Sequence, residues 1–189
     1  MPAVLALVAS AITLERNAAY RLPQETISMF TVTRLNHAVL WVRDADKAAD
    51  FYHRVFGFEE LERPQGMRAA FMRSPTGGNH HDLGLFEVGA DAPRPPRGSV
   101  GLYHLAWEVA TIEDLAAAAK ALSEVGALGG ASDHGVSKSL YGRDPDGNEF
   151  EVMWQVPREA WGEFADSGVV QPLDLEAELT RWGTKGAVQ

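Results

Sequence analysis

Two stretches decide the fold: residues 32–42, VTRLNHAVLWV, and residues 100–110, VGLYHLAWEVA. Both are rich in β-formers, and each carries a histidine near its middle, His37 and His104, 67 residues apart. A helix start follows each. Asp44 can cap the first helix, and Thr111, again 67 residues on, makes a capping-box-like pair with Asp114 for the second. The first helix gathers Ala48, Phe51, Tyr52 and Val55 on one face, and the second gathers Leu115, Ala118, Ala119, Leu122 and Val125. Gly57 and Gly126 stand where helices stop. Three strand candidates follow in each half: residues 58–62, 67–73 and 81–88 in the first, and 128–132, 139–143 and 149–154 in the second. The chain therefore reads as an α+β protein of two tandem βαβββ modules. One helix covers only one face of a four-stranded sheet. Two such sheets are expected to curl into a cup, helices outside and a pocket within.

Working outward from the repeat, residues 29–90 form the first module and 100–155 the second. Between them ADAPRPPRGS, residues 90–99, has three prolines and two arginines; its 91–99 portion reads as a stiff, exposed linker. Residues 156–189 read as a C-terminal tail with a short helix over 173–182, with Leu175, Leu179 and Trp182 on one face. Residues 1–28 do not resemble the rest and read as an N-terminal extension. A short packed helix is the second reading. A signal peptide is the third, since the apolar start lacks a basic n-region and is too short to span a membrane.

The chain has 189 residues and a formal net charge of −9. A single chain of this size buries about two thirds of its unfolded surface and needs no covalent staples. With no cysteine, disulfides, thiolate metal sites and cysteine nucleophiles are excluded. The acidic balance argues against nucleic acid and anionic membranes as partners. The expected compartment is the cytoplasm. The six histidines are then the only imidazole ligands and the only near-neutral titrating side chains.

Strand alternation sorts these groups. Leu105, Trp107 and Val109 suit the helix-covered face, which turns His104, Ala106 and Glu108 toward the cup. Phe150, Val152 and Trp154 do the same for the last strand, turning Glu149, Glu151 and Met153 inward. His37, His104 and Glu151 thus collect at related positions. Two imidazoles and one carboxylate can hold a divalent metal on one octahedral face and leave three positions open.

These residues resemble the vicinal oxygen chelate superfamily of glyoxalases, bleomycin-resistance proteins and extradiol dioxygenases, over roughly residues 30–154. DPDGNEFEVMW, residues 144–154, is similar to the family's last hairpin, whose glutamate is a metal ligand and falls on Glu151. LNHAVL and YHLAWE match the two histidine ligands at His37 and His104. Within the family, DHGVSKSLYGRDPDG from Asp133 looks like the small catechol 2,3-dioxygenase-like proteins. That resemblance implies Fe(II), with Mn(II) as a substitute, a small aromatic catechol-like substrate and dioxygen. It also implies substrate contacts from Tyr141 and His134, and a proton-transferring His81 in NHHDLGLF. Alternation puts His81 on the same side as Leu83 and Leu85, so it faces the cup only if the strand start twists or bulges. His80 takes its place if the register differs by one. His53, on the first helix, reads as a surface residue.

Two other functions fit the superfamily. A glyoxalase-type isomerase uses two histidines and two glutamates. Here the 67-residue offset sets Gly84 opposite Glu151, and an offset of 69 sets Asp82 there; Glu87 falls at the wrong parity. A bleomycin-resistance-like protein would sequester a ligand without metal, and the acidic charge suits a basic one. Trp41, Phe71, Phe86 and Met153 read either as an apolar pocket lining or as core. One chain has strands enough to close its own cup, so a homodimer is compatible with the sequence but not required by it.

Overall fold

The computed structural model describes residues 30–96 and 98–184; the extension expected over 1–28 lies outside the described residues. The chain divides after Leu35, and the described strands and helices all belong to the unit that begins at Asn36. The repeat is realised element by element. The first module runs β1 (Ala38–Val42), α1 (Ala45–Phe56), β2 (Glu59–Glu60), β3 (Ala69–Arg73), β4 (Leu83–Glu87). The second runs β5 (His104–Val109), α2 (Ile112–Glu124), β6 (Leu128–Asp133), β7 (Ser137–Arg143), β8 (Glu149–Gln155). Two short 3-10 turns then lead to α3 (Leu175–Trp182).

Local chemistry explains the helix limits. The Asp44 carboxylate accepts from the Asp46 and Lys47 amides, and Thr111 accepts from the Asp114 amide, so both caps satisfy orphan donors of a first turn. Gly57 ends α1 at φ 69°, a left-handed conformation that costs a glycine nothing.

Each module forms its own four-stranded mixed sheet, ordered β1-β4-β3-β2 and β5-β8-β7-β6. The first and last strands of each module pair in parallel. In the first sheet Val39 stands opposite Gly84, and in the second Ala106 stands opposite Glu151. The 67-residue offset is therefore a true structural equivalence. Several strands are shorter than their sequence pattern. β1 starts at Ala38 and β5 at His104 because their ladder partners begin only at Leu83 and Glu149. β2 is reduced to Glu59 and Glu60, both exposed.

One face of each sheet builds core. Leu40, Val42, Ala70, Met72, Leu83 and Leu85 pack under Ala45, Ala48, Ala49 and Tyr52 of α1. In the second module Leu140, Phe150, Val152 and Trp154 pack under Ile112, Leu115 and Leu122 of α2. The modules meet through these covered sides. Phe51 and Phe56 of α1 lie 6.0 and 5.1 Å from the Phe150 ring, and Trp107 lies 5.3 Å from Phe58.

A polar clasp adds to that contact. Asp144 opens the turn before β8 and is 5% exposed. It accepts from the amides of Asp146 and Asn148, the Asn148 side chain and, at 3.3 Å, the Tyr52 hydroxyl of α1. Beside it Arg43, at the end of β1, donates to Asp146 at 3.0 Å. The DPDG segment is thus a hairpin turn that also pins one module to the other.

Candidate metal centre

Alternation places the second module's donors as the sequence suggests. Phe150, Val152 and Trp154 are core, so Glu151 projects from the open face of β8. Its cross-strand neighbours are Ala106 on β5 and Tyr141 on β7. Two residues before Ala106, His104 projects from the same face, and its Nε2 comes to 3.1 Å from Glu151 Oε2. Two atoms each about 2.1 Å from one ion and at right angles to each other are about 3 Å apart, so this pair has the spacing of adjacent ligands. The His104 Nδ1 is buried without a hydrogen-bond partner.

Tyr141 and His134 form a directed pair over the same face. The Val169 carbonyl, which can only accept, is 2.8 Å from His134 Nδ1, so Nδ1 carries a proton. In the neutral ring Nε2 must then accept, and the Tyr141 hydroxyl 2.7 Å away donates to it. The Tyr141 oxygen can then only accept from its other neighbours, and the Ser139 and Ser132 hydroxyls lie on that side. Burial raises the Tyr141 pKa, and the Glu151 carboxylate raises it further. The Val169 segment is held in place by the Asp133–Gln171 bridge, with amide–carbonyl bonds of 2.8 and 2.9 Å in the two directions.

The first module carries His37 and His81. His37 is exposed and stands just before β1. Its Nδ1 is 2.9 Å from the Asn36 side-chain oxygen, while the Asn36 amide nitrogen faces Asn79. Nδ1 therefore donates and Nε2 keeps a lone pair, as a metal ligand requires. The His81 ring lies 4.6 Å from His37 and 5.3 Å from Phe71. His81 thus shares the open face with Phe71, Phe86, Val39 and Trp41, and not the core face of Leu83 and Leu85. The alternation rule does not reach it because β4 begins only at Leu83. Between them Asp82 is tied to the Ser74 amide and the Asn79 side chain, which re-aims the chain. Burial lowers the His81 pKa, and His37 and His80 lower it further. A hollow of about 490 Å³ beside it is lined by Leu61, Glu62, Pro64, Phe71, His80 and His81. His80 is exposed, and its Nδ1 approaches that of His81 to 3.1 Å. His53 is exposed as expected, bonded to the Phe58 carbonyl.

The structure therefore brings His104, Glu151, Tyr141 and His134 together, and separately His37 and His81. Among the described residues no three His, Asp or Glu side chains stand close enough to hold one ion. The fourth-ligand question has a clear geometry. Gly84 occupies the Glu151-equivalent position, Asp82 is spent on the Ser74–Asn79 turn, and Glu87 is paired with Arg68 and the Ala45 amide. Sequence reasoning missed Asn36 and the Val169 carbonyl. The first adjoins His37 and carries an amide. The second leaves no sequence signal, because a backbone carbonyl belongs to every residue.

Residues 34–152 match the family described as the glyoxalase/bleomycin resistance protein/dioxygenase superfamily. A catechol-2,3-dioxygenase of Bacillus subtilis (strain 168) is 32% identical over 154 residues, 80% of this chain and 53% of that protein. Metapyrocatechase 2 of Cupriavidus necator is 28% identical over 157 residues, 79% of this chain and 44% of that protein. The chain thus spans about half the length of these curated relatives. A solved glyoxalase/dioxygenase from Nostoc punctiforme superposes with a TM-score of 0.57 at 21% identity, over 72% of this chain and 100% of that one, a likeness of fold. Among the described residues no helix is long and apolar enough to cross a membrane.

Proposed function

Because the chain belongs to the glyoxalase/bleomycin resistance protein/dioxygenase superfamily, we propose that it is an Fe(II)-dependent extradiol dioxygenase, acting in the cytoplasm on a small catechol-like aromatic. The observation that carries this reading is the cluster on the open face of the second sheet. There Glu151 and His104 are 3.1 Å apart, with the Tyr141–His134 pair beside them. His37, whose Nδ1 faces the Asn36 oxygen, would be the third ligand that the family pattern calls for. Glycine at position 84 offers no carboxylate where a His2Glu2 isomerase site would need its second one, and a metal held by the remaining set would keep room for substrate and dioxygen.

When bound, ferrous iron supplies the redox chemistry that lets a spin-paired catechol react with dioxygen; Mn(II) overlaps it in ligand preference. The chain's own groups manage protons and charge. The ring of the substrate fits the apolar hollow of Leu61, Pro64 and Phe71, with His81 at its wall. His81, whose surroundings favour the neutral ring, accepts a proton from a catechol hydroxyl and returns it at ring opening. The Tyr141 oxygen accepts a hydrogen bond from the substrate while its own proton points at His134. If that proton passes to His134 Nε2, the imidazolium then donates back to the Tyr141 oxygen. Tyr141 can in turn hold the substrate proton against a developing oxyanion. His134 cannot turn away, because its Nδ1–H is fixed on the Val169 carbonyl.

The test is anaerobic reconstitution with ferrous salt, then exposure to air with a panel of catechols. Iron bound in proportion to protein and a yellow ring-opened product are expected. Iron binding without ring opening of any catechol overturns the dioxygenase reading.

A further inference from the structure

We infer that Lys138, a buried lysine outside the proposed chemistry, is a positioning residue that decides which nitrogen of His134 faces Tyr141. The inference rests on the part proposed above for the Tyr141–His134 pair. His134 opens the short turn between β6, which ends at Asp133, and β7, which begins at Ser137. At the root of that hairpin Asp133 and Lys138 stand opposite each other, and the ammonium is 2.6 Å from the Asp133 carboxylate. Its second carboxylate is Glu178 of α3, 3.6 Å away, whose other oxygen accepts from the Trp182 indole at 2.9 Å. The whole lysine side chain is buried. Burying an ammonium is costly, and a well-packed apolar residue often serves stability as well or better, so the charge here calls for a further role.

That role is to lock the turn against the tail. Asp133 is fixed at three points. One carboxylate oxygen takes the ammonium, the other accepts from the Gly135 amide at 2.7 Å, and its backbone is paired in both directions with Gln171. The Gln171 pairing sets the Val169 carbonyl, two residues back, on His134 Nδ1. The Phe164 ring covers Gly135 so closely that a Cβ there would stand 2.5 Å from its Cγ. Glu178 ties the far end of the same tail to the same ammonium. Lys138 thus joins hairpin and tail at one charge. Without it two carboxylates repel across the joint, and the Val169 carbonyl is no longer held on His134. The imidazole is then free to carry its proton on Nε2 and donate to Tyr141. Tyr141 turns its own proton away from His134 in that case, and meets a substrate hydroxyl as a donor rather than an acceptor.

The test reads the tautomer directly. In nitrogen NMR spectra of the full chain, taken at about pH 8 where an ordinary imidazole is neutral, protonated and bare ring nitrogens give separate signals. The His134 signals are assigned by their absence in His134→Gln. The wild type should carry the proton on Nδ1; a proton on Nε2 overturns the inference. Lys138→Met should shift His134 to Nε2–H or to a mixture of tautomers in the folded protein. Adding Asp133→Asn should restore Nδ1–H, since it removes the unpaired charge. A folded Lys138→Met chain that keeps the wild-type tautomer makes the lysine merely structural and overturns the inference, as does a double variant without recovery. Where Lys138→Met does not fold, Gln171→Pro takes its place, deleting one of the two bonds of the bridge at an exposed residue; an unchanged tautomer there overturns the inference as well. None of these spectra needs turnover. If the wild type opens catechols, Lys138→Met should lower kcat by about 10²-fold with KM nearly unchanged, and an unchanged kcat overturns the inference. If the wild type opens none, the dioxygenase reading falls, and the spectra still decide what Lys138 does.

Discussion

Replacing Lys138 by methionine should destabilise the protein through two carboxylates rather than through the lysine itself. Lys138 is 4% exposed in β7, and its ammonium lies 2.6 Å from Asp133 and 3.6 Å from Glu178 of α3. Methionine keeps much of the stem volume and removes the charge. Two anions with 21% and 13% side-chain exposure then face each other without a cation. Removing one member of a buried ion pair costs about 3–5 kcal/mol. Each carboxylate retains one N–H donor, Gly135 for Asp133 and the Trp182 indole for Glu178, so the lower end, about 3 kcal/mol, is expected. With a urea slope of about 2 kcal/mol/M, the unfolding midpoint should fall by about 1.5 M. Adding Glu178→Gln to the same chain should recover part of the loss. The assay is urea titration followed by tryptophan fluorescence, since Trp182 reports on α3 and Trp154 packs 5.9 Å from it. A midpoint shift below about 0.5 M, which is about 1 kcal/mol on that slope, would refute the view that the buried ammonium compensates a half-buried acidic pair.

Tyr141→Phe should keep metal content and fold but lower kcat by about 10²–10³, the usual loss when one oriented donor to a developing oxyanion is removed; metal analysis beside steady-state rates checks both halves. Gly142→Ala should cost about 1–3 kcal/mol, because its Cβ would sit 2.5 Å from Phe150 and 2.9 Å from the Ala127 carbonyl, neither free to move; thermal melting measures it. Burial works to raise the Asp133 pKa, but Lys138 and the Gly135 amide outweigh it and hold the group below its ordinary 3.8. The stability it contributes is therefore complete above about pH 4 and drains as pH falls through the lowered value. Urea midpoints taken from pH 6 to pH 3 should show a drop that Asp133→Asn flattens, and identical pH curves for the two proteins would dismiss it.

The modules, their caps and the sides of their strands were legible because each rests on local periodicity. Glu151 and His104 were placed by parity alone, and the register of Ala106 against Glu151 bears that placement out. His81 was misdirected by the same rule, since parity counts only inside a ladder and Asp82 bends the chain before β4 begins. The His134 tautomer depends on a tail segment returning from 35 residues away, a contact no local pattern encodes. The separation of His37 from His104 was invisible for a related reason. A repeat tells which positions are equivalent, and says nothing about which face of one unit is turned toward the other.

The clasp at Asp144 gears the two halves of the chain together. The carboxylate oxygen of Glu151 rides on a hairpin whose root is bolted to α1 by Tyr52 and to β1 by Arg43. The strand that carries Glu151 therefore leaves its turn already anchored to two elements of the other module, so its starting point is set by both halves of the chain.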